Sequence, residues 1–209
     1  MSTNNKTNRQ KDMSFIEKAR RAQIIECAIE TIVEVGYAQA SLGKIAKRAN
    51  ISKGVISYHF LNKEELLEQV VIEYYLACHS FVYPQIEVLT SPKDMLQKYI
   101  EAHLTFADKN RKHVFAVMEI VSNGRTSDGK LKFATDHDEN IFQPIEDILR
   151  LGMREGAFWE FSAKSARVIA LTIRQSIDGF SIELMRNPQI NVKEYIQELV
   201  TIFDKATRK

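Results

Sequence analysis

Four times in this chain a Ser or Asn stands three residues ahead of a carboxylate, just before an apolar run: Ser14…Glu17, Asn62…Glu65, Ser91…Asp94 and Asn191…Glu194. Such pairs satisfy the orphan N–H groups of a helix start, so each marks a helix N-terminus. Between these starts, apolar residues recur at spacings of three and four, as in Ile25, Ala28, Ile29, Ile32 and Val33. That is the period of an amphipathic helix, and no stretch alternates as a half-buried strand does. Eight Gly and four Pro in 209 residues are too few for a turn-rich β fold. The sequence therefore predicts an all-α protein of about nine helices.

The expected helices cover about 14–36, 41–49, 53–59, 62–84, 91–107, 111–122, 131–154, 162–185 and 191–207. Gly36 closes the first as a left-handed cap. Asn50-Ile51-Ser52 breaks the second from the third. Pro144 is expected to kink the seventh, and Asn187-Pro188 stops the eighth. Residues 1–13 are polar and without periodicity, and are expected to form a disordered arm. They hold no apolar core of a secretory signal, and no window approaches 18 uncharged apolar residues. Cys27 and Cys78 lie in helical patterns without a Cys-x-x-Cys pair, as buried thiols of a reducing cytoplasm would. These features predict a cytoplasmic protein with no membrane span.

Charge is distributed unevenly. Residues 1–63 carry eleven basic and five acidic side chains, the rest of the chain 18 basic and 22 acidic. A basic head on an acidic body points to a polyanion as partner of the head alone. Within that head, two short helices flank Asn50-Ile51-Ser52, the layout of a helix-turn-helix. Ala46 is small enough for close crossing, Ile51 plugs the turn, and Ile56 and Phe60 fall on the face to be buried. This leaves Ser52, Lys53, Val55, Ser57, Tyr58 and His59 for groove or backbone, with Gly54 allowing close approach. The alternative for Tyr58 and His59 is packing under a helix corner. Ser41-x-x-Lys44 also has the form of a nucleophile–lysine pair, but its usual partner motifs are absent and the lysine suits phosphate.

The run Ser41-Leu-Gly-Lys-Ile-Ala-Lys-Arg-Ala-Asn-Ile-Ser-Lys-Gly-Val-Ile-Ser-Tyr-His-Phe-Leu-Asn-Lys-Glu-Glu-Leu-Leu67 closely resembles the signature of the tetracycline-repressor (TetR) family, and Ile25 to Tyr37 is similar to that family's first helix and exit. The resemblance covers about residues 16–70. It implies a one-component regulator with an arm (1–13), a DNA-binding head (14–63) and a ligand-binding, dimerising body (64–209). It implies that Lys53 and Gly54 lie at base edges, that Tyr58 and His59 touch backbone or bases, that Lys63 holds a phosphate, and that Ser41 and Lys44 are contacts of the first motif helix. Many members have Tyr where this chain has Ser57, so one aromatic contact is missing. The form Ile-Ser-Tyr-His-Phe60 resembles a subgroup that includes choline-responsive repressors.

In the body, polar groups on apolar faces are the candidates for an inducer site: His103, Glu119, Arg174 and Asp178, with Tyr74, Cys78, Phe106, Phe115, Met118 and Phe142. Arg174 and Asp178, one turn apart, either pair with each other or face ligand or partner subunit. His103 and Glu119 are also the residues an enzyme would use, although no nucleophile–base–orienter set is visible. Asp136-His-Asp-Glu139 has metal-ligand residue types, yet neighbours on a helix diverge and a solvated acidic patch is favoured; no cofactor or metal is expected. The stripes Ile169, Ala170, Ile173, Ile177, Phe180 and Leu184, and Tyr195, Ile196, Leu199, Val200 and Phe203, are expected to form a homodimer surface through the last two helices, the alternative being intrachain core. Taken with these features, the resemblance implies a palindromic DNA operator, a small-molecule inducer and a second copy of the chain as partners.

Overall fold

The helix starts read from the sequence become caps in a computed structural model that describes residues 14–133 and 141–209. Nine helices form among the described residues: α1 (Phe15–Gln39), α2 (Leu42–Arg48), α3 (Lys53–His59), α4 (Lys63–Glu87), α5 (Pro92–Lys109), α6 (Arg111–Asn123), α7 (Gln143–Arg154), α8 (Ala163–Arg186) and α9 (Val192–Thr207). Ser14 accepts from the Glu17 N–H while Glu17 reaches back to the Ser14 N–H, a complete capping box. Asn62, Ser91 and Asn191 cap α4, α5 and α9 by accepting from the N–H three residues on, without the returning bond, and Ser41, Ser52 and Ser162 cap α2, α3 and α8 likewise. Asn50 takes a left-handed φ of 53° in the break between α2 and α3, a conformation Asn tolerates.

Gly36 interrupts α1 with φ 76° and ψ 164°, after which the helix takes one more turn to Gln39. Only Gly adopts that backbone readily. Pro144 does not kink a helix. It sits in the first turn of α7, where its missing N–H would be unbonded anyway. The expected helical stretch from Leu131 is also not helical at its start, since Leu131 pairs with Arg125 in an isolated bridge. The arm 1–13 and the acidic 136–139 segment lie outside the described residues. Among the described residues, no helix is long and apolar enough to cross a membrane.

Two hydrophobic clusters organise the chain. One unites α1 to the first half of α4 around Ile24, Ile32, Ile45, Ile56, Phe60 and Leu66. Ala116, Val117 and Ile120 of α6 belong to this same cluster. The other joins α5, α7, α8 and α9 to the second half of α4 around Tyr99, Leu104, Ile145 and Phe180. Tyr74 packs against both. At Gly152 of α7 a Cβ would come within 2.0 Å of the buried Phe158 ring, so this glycine is required by close packing.

The apolar stripes of α8 and α9 are intrachain core. Ala170, Ile173, Ile177, Phe180 and Leu184 are buried in the body cluster with Leu199 and Phe203, and Ile169, Tyr195, Ile196 and Val200 pack against it. A buried stripe at helical spacing is satisfied here by the protomer's own α5, α6 and α7. A different face of α8 carries exposed apolar groups: Val168, Leu171 and Ile182. Gly179 lies on that face with open space around it.

Candidate nucleic-acid interface and ligand cleft

Burial of Ile56 and Phe60 under α3 turns the opposite side of that short helix outward. Ser52, Lys53, Gly54, Ser57 and Tyr58 are exposed there, Tyr58 to 74%, with Val55 and His59 partly so. Phe60 is the residue under the corner, and the guanidinium of Arg21 lies 4.2 Å above its ring. The same Arg21 donates to the His59 carbonyl, pinning the end of α3 to α1. Burial first, and then the Arg21 charge, holds the His59 imidazole below its ordinary pKa.

Ser41 and Ser52 use their hydroxyls as caps, accepting from the N–H groups of Lys44 and Val55 at 3.3 and 3.4 Å. Each hydroxyl therefore orders the first turn of its helix. The Lys53 stem crosses α2 at Gly43, where a Cβ would meet its Cε at 2.8 Å. The same point is 3.3 Å from Lys53 Nζ and 3.8 Å from Ser41 Oγ, so the ammonium and the Ser41 hydroxyl share one patch. Lys44 is exposed on the same short helix. Tyr58 donates from its hydroxyl to Glu17 Oε1 at 3.0 Å and meets the His59 ring edge-on. Lys63 is turned inward: its ammonium donates to the Tyr37 carbonyl at 2.9 Å and lies 4.7 Å from the Tyr37 ring centre. Burial lowers its pKa.

The body holds a small cleft of about 40 Å³ that is open to solvent. Six of the ten residues expected at an inducer site line it: Tyr74 and Cys78 from α4, His103 from α5, Met118 from α6, and Arg174 and Asp178 from α8. Tyr75, Val117, Ile177 and Ser181 complete much of the wall. Tyr75 and Ser181 were readable in principle, since each stands three residues from a chosen neighbour, Cys78 or Asp178, on the same helical face.

The other four expected residues are placed elsewhere. Phe106 is buried beside the Tyr74 and Phe81 rings. Phe142 packs beneath the Arg167 guanidinium at 4.2 Å. Phe115, although half-buried on α6, is not part of the cleft wall. Glu119 is directed at the head, where its Oε2 accepts the Tyr37 N–H at 3.1 Å, just past Gly36. Its polar position on an apolar helix is thus explained by a backbone donor 82 residues earlier. His103 and Glu119 do not share a site. With Lys63 on the Tyr37 carbonyl, the exit of α1 is held from both α4 and α6.

Arg174 and Asp178 pair with each other, Nε–Oδ2 at 3.2 Å and Nη2–Oδ1 at 3.0 Å. The Arg174 side chain is 17% exposed, and Asp178 is half-exposed. The carboxylate holds the guanidinium charged despite burial. Burial raises the Cys78 thiol to about 11 and the Tyr74 phenol further still above its ordinary value. His103 is only 7% exposed, and its Nδ1 lies 2.7 Å from the Tyr99 carbonyl. A carbonyl only accepts, so Nδ1 carries the proton and Nε2 is a bare acceptor.

Burial drives the His103 pKa from 6.5 down to about 4. In the unfolded chain it takes a proton near 6.5, so between these values the unfolded state binds more protons. Stability is thus expected to fall as pH drops from 6.5 towards 4, by about 3 kcal/mol from this group, and to level below. Urea melts across that range check it: His103→Gln should show a flatter profile than the native chain.

A basic head with a capped two-helix unit, joined through a shared helix to a clefted helical body, is the build of a helix-turn-helix protein with a separate helical domain. Residues 24–70 match the family of bacterial regulatory proteins, tetR family. The regulator BetI 1 of Chromohalobacter salexigens is 45% identical over 56 residues, which cover 27% of this chain and 28% of that protein. The chain thus matches little more than a quarter of the length of such relatives. Among solved structures, the TetR family regulator PfmR from Thermus thermophilus superposes with a TM-score of 0.72 at 20% identity, covering 87% of this chain and 97% of that one. FadR from Bacillus subtilis, in complex with stearoyl-CoA, superposes at 0.69 with 23% identity, over 87% and 96%. The fold is therefore the TetR fold along most of the chain. Residues 24–70 thus carry the DNA-binding region of that family, and the rest of the chain shares the fold of the solved regulators.

Proposed function

We propose that the protein is a ligand-responsive repressor that binds a palindromic DNA operator as a homodimer and is released by a small molecule in the body cleft. The observation that carries this reading is the path of α4. It starts at Lys63 beneath the reading unit, contributes Leu66 and Val70 to the head cluster, and then lends Tyr74 and Cys78 to the cleft. A ligand wedged against Tyr74 acts on a residue packed in both clusters, so occupancy biases the position of the head.

The exposed surface from Ser41 and Lys44 to Lys53 and Tyr58 suits a major groove, with α3 presenting its N-terminal turn to base edges and Lys53 its charge to phosphate. Two such heads need a two-fold mate. The exposed Val168, Leu171, Gly179 and Ile182 of α8 offer a self-complementary stripe for it. FadR, with bound stearoyl-CoA, supports a ligand in a body of this fold. Cytoplasmic residence follows from a partner that is chromosomal DNA.

A gel-shift comparison of the gene's own promoter region with random duplexes tests the reading. Expected is a discrete complex on promoter DNA at concentrations where random DNA is unbound. Equal, feeble binding to all sequences would sink it.

A further inference from the structure

The cleft's charges already cancel. Its wall holds one cation and one anion among the described residues, Arg174 and Asp178, and these are joined by two contacts at 3.0–3.2 Å within a single helix turn. The remaining polar lining is neutral: two phenols, a thiol, the Ser181 hydroxyl and the His103 imidazole. An anionic ligand would have to share Arg174 with Asp178 and would bring a second negative charge beside that carboxylate. A cationic ligand held by the Tyr74 and Tyr75 rings would share the cleft with the Arg174 guanidinium, a like charge in a poorly solvated space. Neither sign of charge finds an uncommitted counter-charge.

One polar atom does lack a partner. His103 is buried on every side except the cleft, its Nδ1–H is spent on the Tyr99 carbonyl, and its Nε2 meets no donor among the described residues. This acceptor opens into the cleft, so a ligand hydroxyl there can donate to it without displacing a protein donor. Around it the wall is apolar, from Ala107, Val114, Val117, Met118 and Ile177.

We propose that the cleft selects an uncharged, mostly apolar molecule bearing a hydroxyl, whose O–H donates to Nε2 of His103. This rests on the reading of the cleft as the inducer site. It argues against a quaternary ammonium, although the reading helix resembles a subgroup that includes choline-responsive repressors. Ligand class is set by the body, where the match to those relatives does not extend.

Four probes with one ring body separate the terms: naphthol, methoxynaphthalene, naphthoate and naphthyl-trimethylammonium. They are titrated at neutral pH into the full-length protein, with heat and thermal shift as readouts. Naphthol is expected to bind at least about ten-fold more tightly than each of the others. His103→Phe should remove its advantage over methoxynaphthalene, and His103→Gln, which keeps an acceptor, should restore part of it. Should the Phe variant fail to fold, the four native titrations decide alone. Binding of naphthoate or the ammonium probe as tightly as naphthol overturns the charge argument but leaves the inducer site standing. Equal binding of naphthol and methoxynaphthalene overturns the role of His103. If no probe binds, the proposal falls. If in addition no small molecule from a broad screen alters promoter binding, the inducer reading falls with it.

Discussion

Replacing Lys53 by Glu is expected to weaken promoter binding by roughly a hundred-fold or more, with little effect on the folded protein. The residue opens α3, is exposed, and has its stem laid across Gly43 so that the ammonium is held beside Ser41. A dimer carries two copies, and each reversal turns an attraction for DNA into a repulsion. Lys53→Gln separates two roles. If the ammonium neutralises phosphate, the slope of log affinity against log salt should fall by about two for a dimer. If it reads a base edge, the slope should hold while discrimination between operator and variant sequences is lost. An unchanged affinity on both counts would remove α3 as the reading helix.

The second large effect separates the core of the body from its surface. Phe180 is fully buried, its ring 4.9 Å from that of Tyr195. Truncation to Ala is expected to lower stability by about 3–5 kcal/mol, read as an earlier denaturant midpoint. Two residues on, Ile182 faces out, and Ile182→Glu should leave the protomer's secondary structure intact while converting the dimer to monomer in sedimentation at micromolar concentration. The converse pattern, with Phe180→Ala dissociating an otherwise stable dimer, would return the buried stripe to the interface.

These two residues also show how far the sequence reaches. Helical spacing marked the stripe from Ile169 to Leu184 as buried, and it is. Spacing says nothing about which chain does the burying, and here α5, α6 and α7 of the same protomer do it. Cap chemistry is local, so Ser14, Asn62, Ser91 and Asn191 stood out directly, and each bonds its first turn as expected. Pro144 was ambiguous because a proline suits a first turn as well as a kink, and only the position of the start decides between them. The outward set on α3 was legible because Ile56 and Phe60 fix which side is inward. Three cleft residues, His103, Arg174 and Asp178, were legible because a polar group on an apolar face requires a reason. Glu119 had such a reason too, but its partner is a backbone N–H 82 residues away, invisible to any local pattern. Lys63 likewise spends one N–H of its ammonium on the Tyr37 carbonyl, a partner 26 residues away that no local pattern shows.

Because Ala116, Val117 and Ile120 of α6 complete the hydrophobic cluster of the head, the operator-reading part of this chain is not a detachable cassette. A gene fusion that transplanted residues 14–87 onto a foreign sensor would leave that cluster without one wall and Tyr37 without its clasp from Glu119. Exchange of sensors between regulators of this build must therefore carry the sixth helix along, or evolve a replacement for it, which makes that helix a boundary for recombination.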